Sequence, residues 1–330
     1  MIKIGIIGAG AIARSHIRAL EKMEQAELIA VYDVVPDRAQ ALASQFGARA
    51  YKEAPRFFDA VDAVFVLSPP FAHKEPVVAA AKAGKHIFLE KPIALSLADA
   101  DEMIDAVKAA GVKFMVGFNF RYQAPFRKMA EIYCSGDLGE LVYTWAKIFN
   151  YYPTSGWDER RRQNHWRMNM KDSGGRISEF ATHSIDWLVS FAGQAKEVFA
   201  KTATAAEDLE VDDTDIVIMD FAQGMGKVEI ALTAQTIRER SFGILGKAAG
   251  LHYDGKNLWM RRKDEDAVEI EVDACPSRQE HFMNCLLEDK EPIPGAHDAR
   301  HNLQIVLASY ESAKKGRPVK IQSRRAKAKK

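Results

Sequence analysis

A charged pair followed by a proline stands directly after a short apolar run of the 330-residue chain. Glu90-Lys91-Pro92 follows His86–Leu89, which we predict to be a buried strand. At the end of such a strand, Lys91 would be a cation held near a partly dry pocket. The alternative interpretation is a surface ion pair at a strand end.

A second group of titratable residues lies on a helix that we predict over Arg176–Phe191. Glu179 and His183 are four residues apart, so a continuous α-helix would place them on one face. Asp186 follows His183 by three residues and could orient its ring. The alternative is a histidine that is satisfied within its own helix, between Glu179 and Asp186.

A glycine-rich segment, Gly8-Ala9-Gly10-Ala11-Ile12-Ala13, fits the pattern G-x-G-x-x-A between a predicted strand and a predicted helix. In a dinucleotide-binding loop, Gly8 would permit the tight turn and Gly10 would let the backbone approach the pyrophosphate, while Ala13 would keep the helix close to the sheet. The helix N-terminus would present free N–H groups to the phosphates. A glycine-rich turn without a ligand is the alternative.

The second predicted strand, Ala26–Tyr32, is followed by Asp33, at the place where an acidic residue binds the adenosine ribose. A carboxylate there repels a 2′-phosphate, so the sequence favours NAD over NADP, although Arg38 lies nearby and could soften that preference. Alternatively, Asp33 caps the turn.

The hydrophobic pattern predicts two domains that would position these residues. Up to residue 120, short apolar runs alternate with helical segments, which is typical of a doubly wound parallel α/β sheet. In residues 121–330, strand-like runs separated by turns predict a large, mostly antiparallel open sheet with two helices. We therefore predict a Rossmann domain over 1–120 and an α/β domain over 121–330, which ends in a basic tail, 323–330.

Composition argues against several classes of protein. The chain has 46 basic and 45 acidic residues, a net charge of +1, without the basic excess of a nucleic-acid binder. No apolar run approaches the roughly 18 residues of a membrane span. Three dispersed cysteines without a C-x-x-C pair favour a reducing cytoplasm. His297 and His301 have a spacing that metal ligands use on a helix, but no third ligand is near, and we assign no metal.

Further motifs extend over nearly the whole chain. They are Ser68–His73, Ala83–Pro92, Gly117–Tyr122, Gly136–Glu140, the Ser173-Gly174-Gly175 segment followed by His183 and Asp186, and Asp298-Ala299-Arg300. Together with the glycine loop they resemble the glucose–fructose oxidoreductase / inositol dehydrogenase / rhizopine catabolism (Gfo/Idh/MocA) dehydrogenases. The E-K-P loop combined with a downstream GG…H…D segment is highly specific for that family.

The resemblance implies an NAD(P)-dependent oxidoreductase in which Lys91 and His183 flank the reacting carbon. His183 would accept the hydroxyl proton, and Lys91 would stabilise the alkoxide that develops as hydride leaves. Glu179, where relatives commonly have aspartate, would complete the catalytic group. Further implied cofactor contacts are Ser68, Pro69, His73, Glu90, Lys91, Asn119, Trp166 and Arg167. Implied substrate contacts are Lys91, Arg121, His165, Trp166, Glu179 and His183.

The resemblance further implies reversible oxidation of a secondary alcohol on a sugar, sugar derivative or cyclitol, in a homodimer or homotetramer formed through the C-terminal sheet. NAD is the expected cofactor, with NADP as the second choice, and neither a nucleic acid nor a membrane is expected as a partner. One alternative is a dehydrogenase of an anionic sugar, which the basic segment Arg160–His165 could recognise unless it is exposed loop charge. The other is a non-catalytic NAD-binding regulator of the same fold.

Overall fold

A computed structural model describes residues 1–151, 166–206, 210–234 and 236–322. The chain divides into two compact units. The first comprises Met1–Gln123, Lys171–Gly174 and Ala274–Leu303, and the second comprises Ala124–Met170, Gly175–Asp273 and Gln304–Lys330. Ala274–Leu303 therefore belong to the first unit, although the hydrophobic pattern assigns them to the second domain. The reason is packing, since Phe282 and Met283 are part of the core of the first unit.

The first unit contains a six-stranded parallel sheet with the strand order β3-β2-β1-β4-β5-β6. This is the order of a Rossmann fold, in which ligands bind outside the carboxyl ends of the strands where the winding direction reverses, between β1 and β4. The strands are β1 (Ile2–Ile7), β2 (Ala26–Tyr32), β3 (Arg49–Tyr51), β4 (Ala63–Val66), β5 (His86–Leu89) and β6 (Phe114–Val116).

Helices connect these strands, as parallel pairing requires. They are α1 (Ala11–Leu20), α2 (Pro36–Gln45), α3 (Ala54–Ala60), α4 (Lys74–Lys82) and α5 (Leu97–Ala110). Residues of α1 at helical spacing, Ala13, His16, Ile17 and Leu20, are buried against the sheet. Ser96 caps α5 by accepting a hydrogen bond from Asp99 N, and Gly111 ends it in the left-handed conformation.

The second unit contains a nine-stranded sheet with the order β14-β13-β12-β11-β7-β10-β9-β8-β15. All neighbours are antiparallel except β7 and β10. The strands are β7 (Leu141–Phe149), β8 (Glu197–Ala203), β9 (Thr214–Asp220), β10 (Met225–Ala231), β11 (Glu239–Gly246), β12 (Ala249–Tyr253), β13 (Leu258–Arg262), β14 (Val268–Ile270) and β15 (Val319–Lys320). The two sheets confirm the fold class predicted from the sequence.

The remaining helices are α6 (Ala124–Cys134), the short α7 (Met170–Ser173), α8 (Thr182–Ala192), α9 (Arg278–Leu287) and α10 (Ala296–Lys315). In the described ranges, none of the helices is long and apolar enough to cross a membrane. The predicted helix over Arg176–Phe191 needs a correction, because it begins as a π-helical turn over Ile177–Ala181 and continues as α8. Glu179 and His183 are therefore not neighbours on one continuous α-helix.

Candidate active site

The glycine loop leaves β1 at the carboxyl edge of the parallel sheet. Gly8 has a φ of +98°, and a Cβ atom there would lie 2.7 Å from Ser68 N, at the end of β4. Only glycine fits this turn without strain. A Cβ atom at Gly10 would meet nothing within 4 Å, and α1 has no side-chain cap at its N-terminus. The uncapped first turn leaves N–H groups that can bind a phosphate.

Asp33 makes hydrogen bonds that connect the first two strands. Its Oδ2 accepts from Ala9 N at 2.7 Å, within the glycine loop, and its Oδ1 accepts from Val35 N at 2.8 Å. The second bond is the turn cap that the sequence left open as an alternative. Each carboxylate oxygen has a second lone pair, so this arrangement leaves acceptor capacity for ribose hydroxyls. Arg38 lies in α2 and is exposed.

His73 connects the two loops that follow β4 and β5. Its Nε2 lies 2.8 Å from the carbonyl oxygen of Ser68, and its Nδ1 lies 2.9 Å from that of Pro92. The residue is 1% exposed, and burial lowers the pKa of its imidazole. His73 therefore holds the two loops together, and its contact with a cofactor stays a prediction. Ser68 and Pro69 are partly exposed beside it.

Glu90 lies in a buried cluster of charged and polar groups. Its Oε1 accepts a hydrogen bond from His16 Nε2 at 2.7 Å and forms an ion pair with Arg278 Nη2 at 2.8 Å. Its Oε2 accepts from Lys91 N at 3.1 Å. Burial alone would raise the pKa of Glu90, but the charge of Arg278 and the hydrogen bond from His16 outweigh it and hold the pKa well below its usual range. Glu90 is thus an ionised anchor for the loop that carries Lys91.

Asn119 and Arg121 follow β6 at the same edge. Asn119 begins a 3₁₀ turn over Phe120–Tyr122. Arg121 Nη2 lies 3.8 Å from Asp298 Oδ1, and its side chain is 12% exposed. We therefore expect Arg121 to hold the start of α10, in addition to any contact with a ligand.

In the second unit, Trp166, Arg167 and Glu179 come together. Arg167 Nε donates to Glu179 Oε2 at 2.8 Å, and its guanidinium lies 4.3 Å from the centre of the Trp166 ring. The Glu179 side chain is 3% exposed, whereas that of Arg167 is 37% exposed. Because Arg167 already balances the charge of Glu179, the carboxylate is suited to accept a hydrogen bond from a substrate hydroxyl.

His183 is the second residue of α8. Within Ala181–Val189, it is the one residue that is partly exposed, and Asp186 is buried. His183 thus interrupts a run of buried residues in α8. His165, the remaining predicted substrate contact, and the basic residues before it lie outside the described residues, as does the tail.

The π-helical turn that carries Glu179 is held at its start by an aspartate. Asp212 accepts hydrogen bonds from Arg176 N at 3.1 Å, Ile177 N at 3.2 Å and the Tyr310 hydroxyl at 3.0 Å. A side chain at Gly175, which has a φ of +82°, would overlap the Tyr310 hydroxyl and the Asp212 carboxylate. This explains why the GG segment precedes the turn. A π turn inside a helix is frequently found at functional sites.

The sequence analysis missed His16 and Arg278, which contact Glu90, and Gln279, which contacts His16. Two signals could have found them. His16 lies at a core position of the amphipathic α1, where a polar residue needs a partner. Arg278 and Gln279 follow Ser277, which forms a capping box with Glu280 at the start of α9. The pattern S-x-x-E before an apolar run is a signature of a helix start.

The two parts of the chain match known protein families. Residues 2–118 match the family model described as an oxidoreductase family with an NAD-binding Rossmann fold, and residues 126–252 match the GFO/IDH/MocA C-terminal domain. These matches confirm the resemblance that the motifs predicted, and with it an NAD-binding oxidoreductase.

Individual relatives extend the match over the chain. Glucose-6-phosphate 3-dehydrogenase of Bacillus subtilis is 32% identical over 69% of this chain, which spans 65% of that protein. Myo-inositol 2-dehydrogenase of Thermotoga maritima is 28% identical over 97% of this chain and 99% of its own length. The crystal structure of aldose-aldose oxidoreductase from Caulobacter crescentus, complexed with glycerol, is similar with a TM-score of 0.85 and 25% identity, covering 97% of this chain and 99% of that chain.

Proposed function

Because the chain belongs to the Gfo/Idh/MocA family of NAD-binding oxidoreductases, we propose that it interconverts a secondary alcohol and a ketone on a sugar, sugar derivative or cyclitol. The observation that carries the proposal is the edge of the parallel sheet. There the glycine loop, Ser68 and Lys91 follow three neighbouring strands, β1, β4 and β5. The names of the two relatives, a dehydrogenase of glucose 6-phosphate and a dehydrogenase of myo-inositol, support this substrate class.

The residues at this edge fit NAD. The open space at Gly10 and the uncapped start of α1 suit the pyrophosphate, and the Asp33 carboxylate, held by Ala9 N, suits the ribose. Bound NAD would supply the acceptor for the hydride that the alcohol loses. Cofactor contacts by Asn119, Trp166 and Arg167 belong to the same proposal.

Lys91 and His183 have different roles in it. The Lys91 ammonium, on a loop anchored by Glu90, stabilises the oxygen as it acquires negative charge. His183, the partly exposed residue of a buried helical segment, accepts the hydroxyl proton. Glu179, whose charge is balanced by Arg167, binds a substrate hydroxyl and thereby sets affinity.

We also propose that the chain forms homodimers or homotetramers through the outer face of the second sheet and works in the cytoplasm. The strand register places Phe199, Ile216, Met225 and Leu245 on this face, where they are 38–47% exposed. Cys134 and Cys285 are free thiols, which agrees with a reducing compartment. Light scattering on the purified chain measures the assembly directly.

A substrate panel tests the proposed activity. Pyranoses, glycosides, uronates, sugar phosphates and inositols are each incubated with NAD, and NADH formation is followed by absorbance. We expect turnover of at least one neutral sugar or cyclitol, and its loss in the Lys91→Met variant. Turnover confined to phosphorylated or acidic sugars would move the substrate class to anionic sugars. Tight NAD binding without turnover on any member would overturn the proposal in favour of a regulator.

A further inference from the structure

The Glu90 carboxylate connects Lys91 to a helix that the chain forms far downstream. Its Oε2 accepts the hydrogen bond from Lys91 N, and its Oε1 lies 2.8 Å from Arg278 Nη2. Glu90 is 8% exposed. The same carboxylate therefore fixes the backbone of Lys91 and forms an ion pair with Arg278.

Arg278 is itself held on more than one side. It is the first residue of α9, and its side chain is 14% exposed. Its Nη1 donates to the carbonyl oxygen of Gly117, at the end of β6, and its guanidinium lies 5.7 Å from the centre of the Phe88 ring. A guanidinium can bind the carboxylate and the carbonyl at once because its donors point in several fixed directions, which an ammonium group cannot reproduce.

A buried carboxylate is stable only when a nearby positive charge balances it, and four groups that face Glu90 could carry that charge. They are Arg278, Lys91, His16 and, at longer range, His73. Burial lowers the pKa of His16, so this imidazole is neutral at pH 7, with Nε2–H donated to Glu90 and Nδ1 accepting from Gln279 Nε2 at 3.0 Å. Burial likewise lowers the pKa of His73. The two cations that can neutralise Glu90 are therefore Arg278 and Lys91.

We propose that Arg278 is a positioning residue for Lys91: it neutralises Glu90, so that this carboxylate orients the Lys91 backbone without capturing its ammonium group. The inference rests on the proposed function, in which that ammonium group stabilises the developing alkoxide. Without Arg278, the Glu90 carboxylate would attract the Lys91 ammonium and compete with the substrate oxygen for it.

The test uses the full-length chain with four variants. Arg278→Met removes the cation, Glu90→Gln removes the anion, and the double variant R278M/E90Q removes both. Ser277→Ala is the matched control, because it removes the capping box of the same helix without touching Glu90. We expect it to lower stability by about 1 kcal/mol and to leave kcat unchanged.

The first readout is the ionisation of Lys91 itself. Lysines are reductively methylated with ¹³C-formaldehyde, the Lys91 signal is identified by its loss in Lys91→Arg, and its pKa is read from a pH titration by NMR. Relative to wild type, this pKa should rise by about one unit in R278M, fall in E90Q and return close to wild type in the double variant.

The second readout is steady-state kinetics. R278M should lower kcat roughly tenfold or more with little change in the KM for NAD, and the double variant should recover most of the loss.

If R278M does not fold, the comparison of E90Q with the double variant carries the test, because the double variant leaves no buried charge unpaired. In that comparison, a Lys91 pKa that returns close to its wild-type value in the double variant supports the proposal. Equal Lys91 pKa values in E90Q and in the double variant overturn it.

The remaining outcomes separate the inference from the function it rests on. Wild-type turnover combined with a Lys91 pKa that is the same in wild type, R278M and S277A would overturn the inference alone and leave Arg278 with a structural role. The expected order of pKa values without turnover of any panel substrate would overturn the proposed function, while supporting the coupling between Arg278 and Lys91.

Discussion

Replacing Asp215 by asparagine should stabilise the protein at neutral pH, because burial and the neighbouring Asp212 disfavour the charged carboxylate more than Arg176 favours it. Asp215 is 1% exposed, on the inward side of β9 with Val217, and neither of its oxygens accepts a hydrogen bond from the described residues. Burial and then the charge of Asp212 raise the pKa of Asp215 from 3.8 to about 10, against a smaller opposite effect of Arg176. The folded protein therefore holds Asp215 in its neutral form at pH 7.

The sign of the effect follows from proton uptake. A carboxyl group whose pKa is raised in the folded state binds a proton when the chain folds. Its stabilising contribution is therefore complete below the pKa of the unfolded chain, and it is lost as pH rises toward the pKa of the folded protein. Each pH unit in between costs about 1.4 kcal/mol. The interval from 3.8 to pH 7 is 3.2 units, which gives about 4 kcal/mol at pH 7.

Asparagine has almost the same shape as aspartate and takes up no proton when the chain folds. Allowing for the poorer fit of the amide, we expect a gain of about 2 kcal/mol or more in the free energy of unfolding at pH 7. Urea unfolding at pH 6, 7, 8 and 9 measures it. The difference between variant and wild type should increase by about 1.4 kcal/mol per pH unit.

Asp220→Asn is the matched control, since Asp220 is exposed at the end of the same strand. Its difference from wild type should stay constant over this pH range. A constant difference for Asp215→Asn as well, or a variant less stable than wild type at pH 9, would refute the reasoning. Either result would mean that Asp215 is ionised in the folded protein.

Four further predictions concern the proposed site. Lys91→Met should lower kcat by roughly a hundredfold or more with NAD affinity little changed, because the cation acts on the developing alkoxide; a variant that keeps most of its kcat would show the assignment to be wrong. His183→Ala should remove most activity and the ionisation seen in the pH–rate profile, and Glu179→Gln should raise KM more than it displaces that profile. A displacement to lower pH with KM unchanged would instead make Glu179 the electrostatic partner of His183. Asp33→Ser should narrow the preference for NAD over NADP in kcat/KM. Because its two hydrogen bonds to the backbone are weakened, it should also lower the free energy of unfolding by about 1 kcal/mol. A wild type that works better with NADP would contradict the placement of Asp33 at the ribose.

Local patterns carry enough information for much of the first sheet and its loops. The predicted bounds of β2 and β5 are those of the structure, because buried parallel strands leave short apolar runs that end at glycine or charged residues. The glycine loop and the E-K-P loop are likewise found at strand ends. Their place at one edge follows from parallel pairing alone.

The features that escape the sequence depend on contacts between distant segments. His16 and Gln279 are 263 positions apart, and nothing near either residue indicates the other. The π turn at Glu179 depends on Asp212 and Tyr310, so a periodicity of 3.6 residues predicts an ordinary helix there. The inclusion of α9 in the first unit depends on the packing of its apolar face, which pattern alone cannot assign to either sheet.

The first unit is discontinuous along the chain, and this affects how it forms on the ribosome. Domains generally fold as they emerge, N-terminal parts first. Here the sheet is complete once Gln123 has been synthesised, but Arg278 and Gln279 come only after most of the second unit. During that interval, Glu90 lacks the Arg278 guanidinium and His16 lacks the Gln279 amide. A fragment that ends at residue 123 would lack both side chains permanently, so a fragment made to bind the cofactor needs the segment up to Leu303.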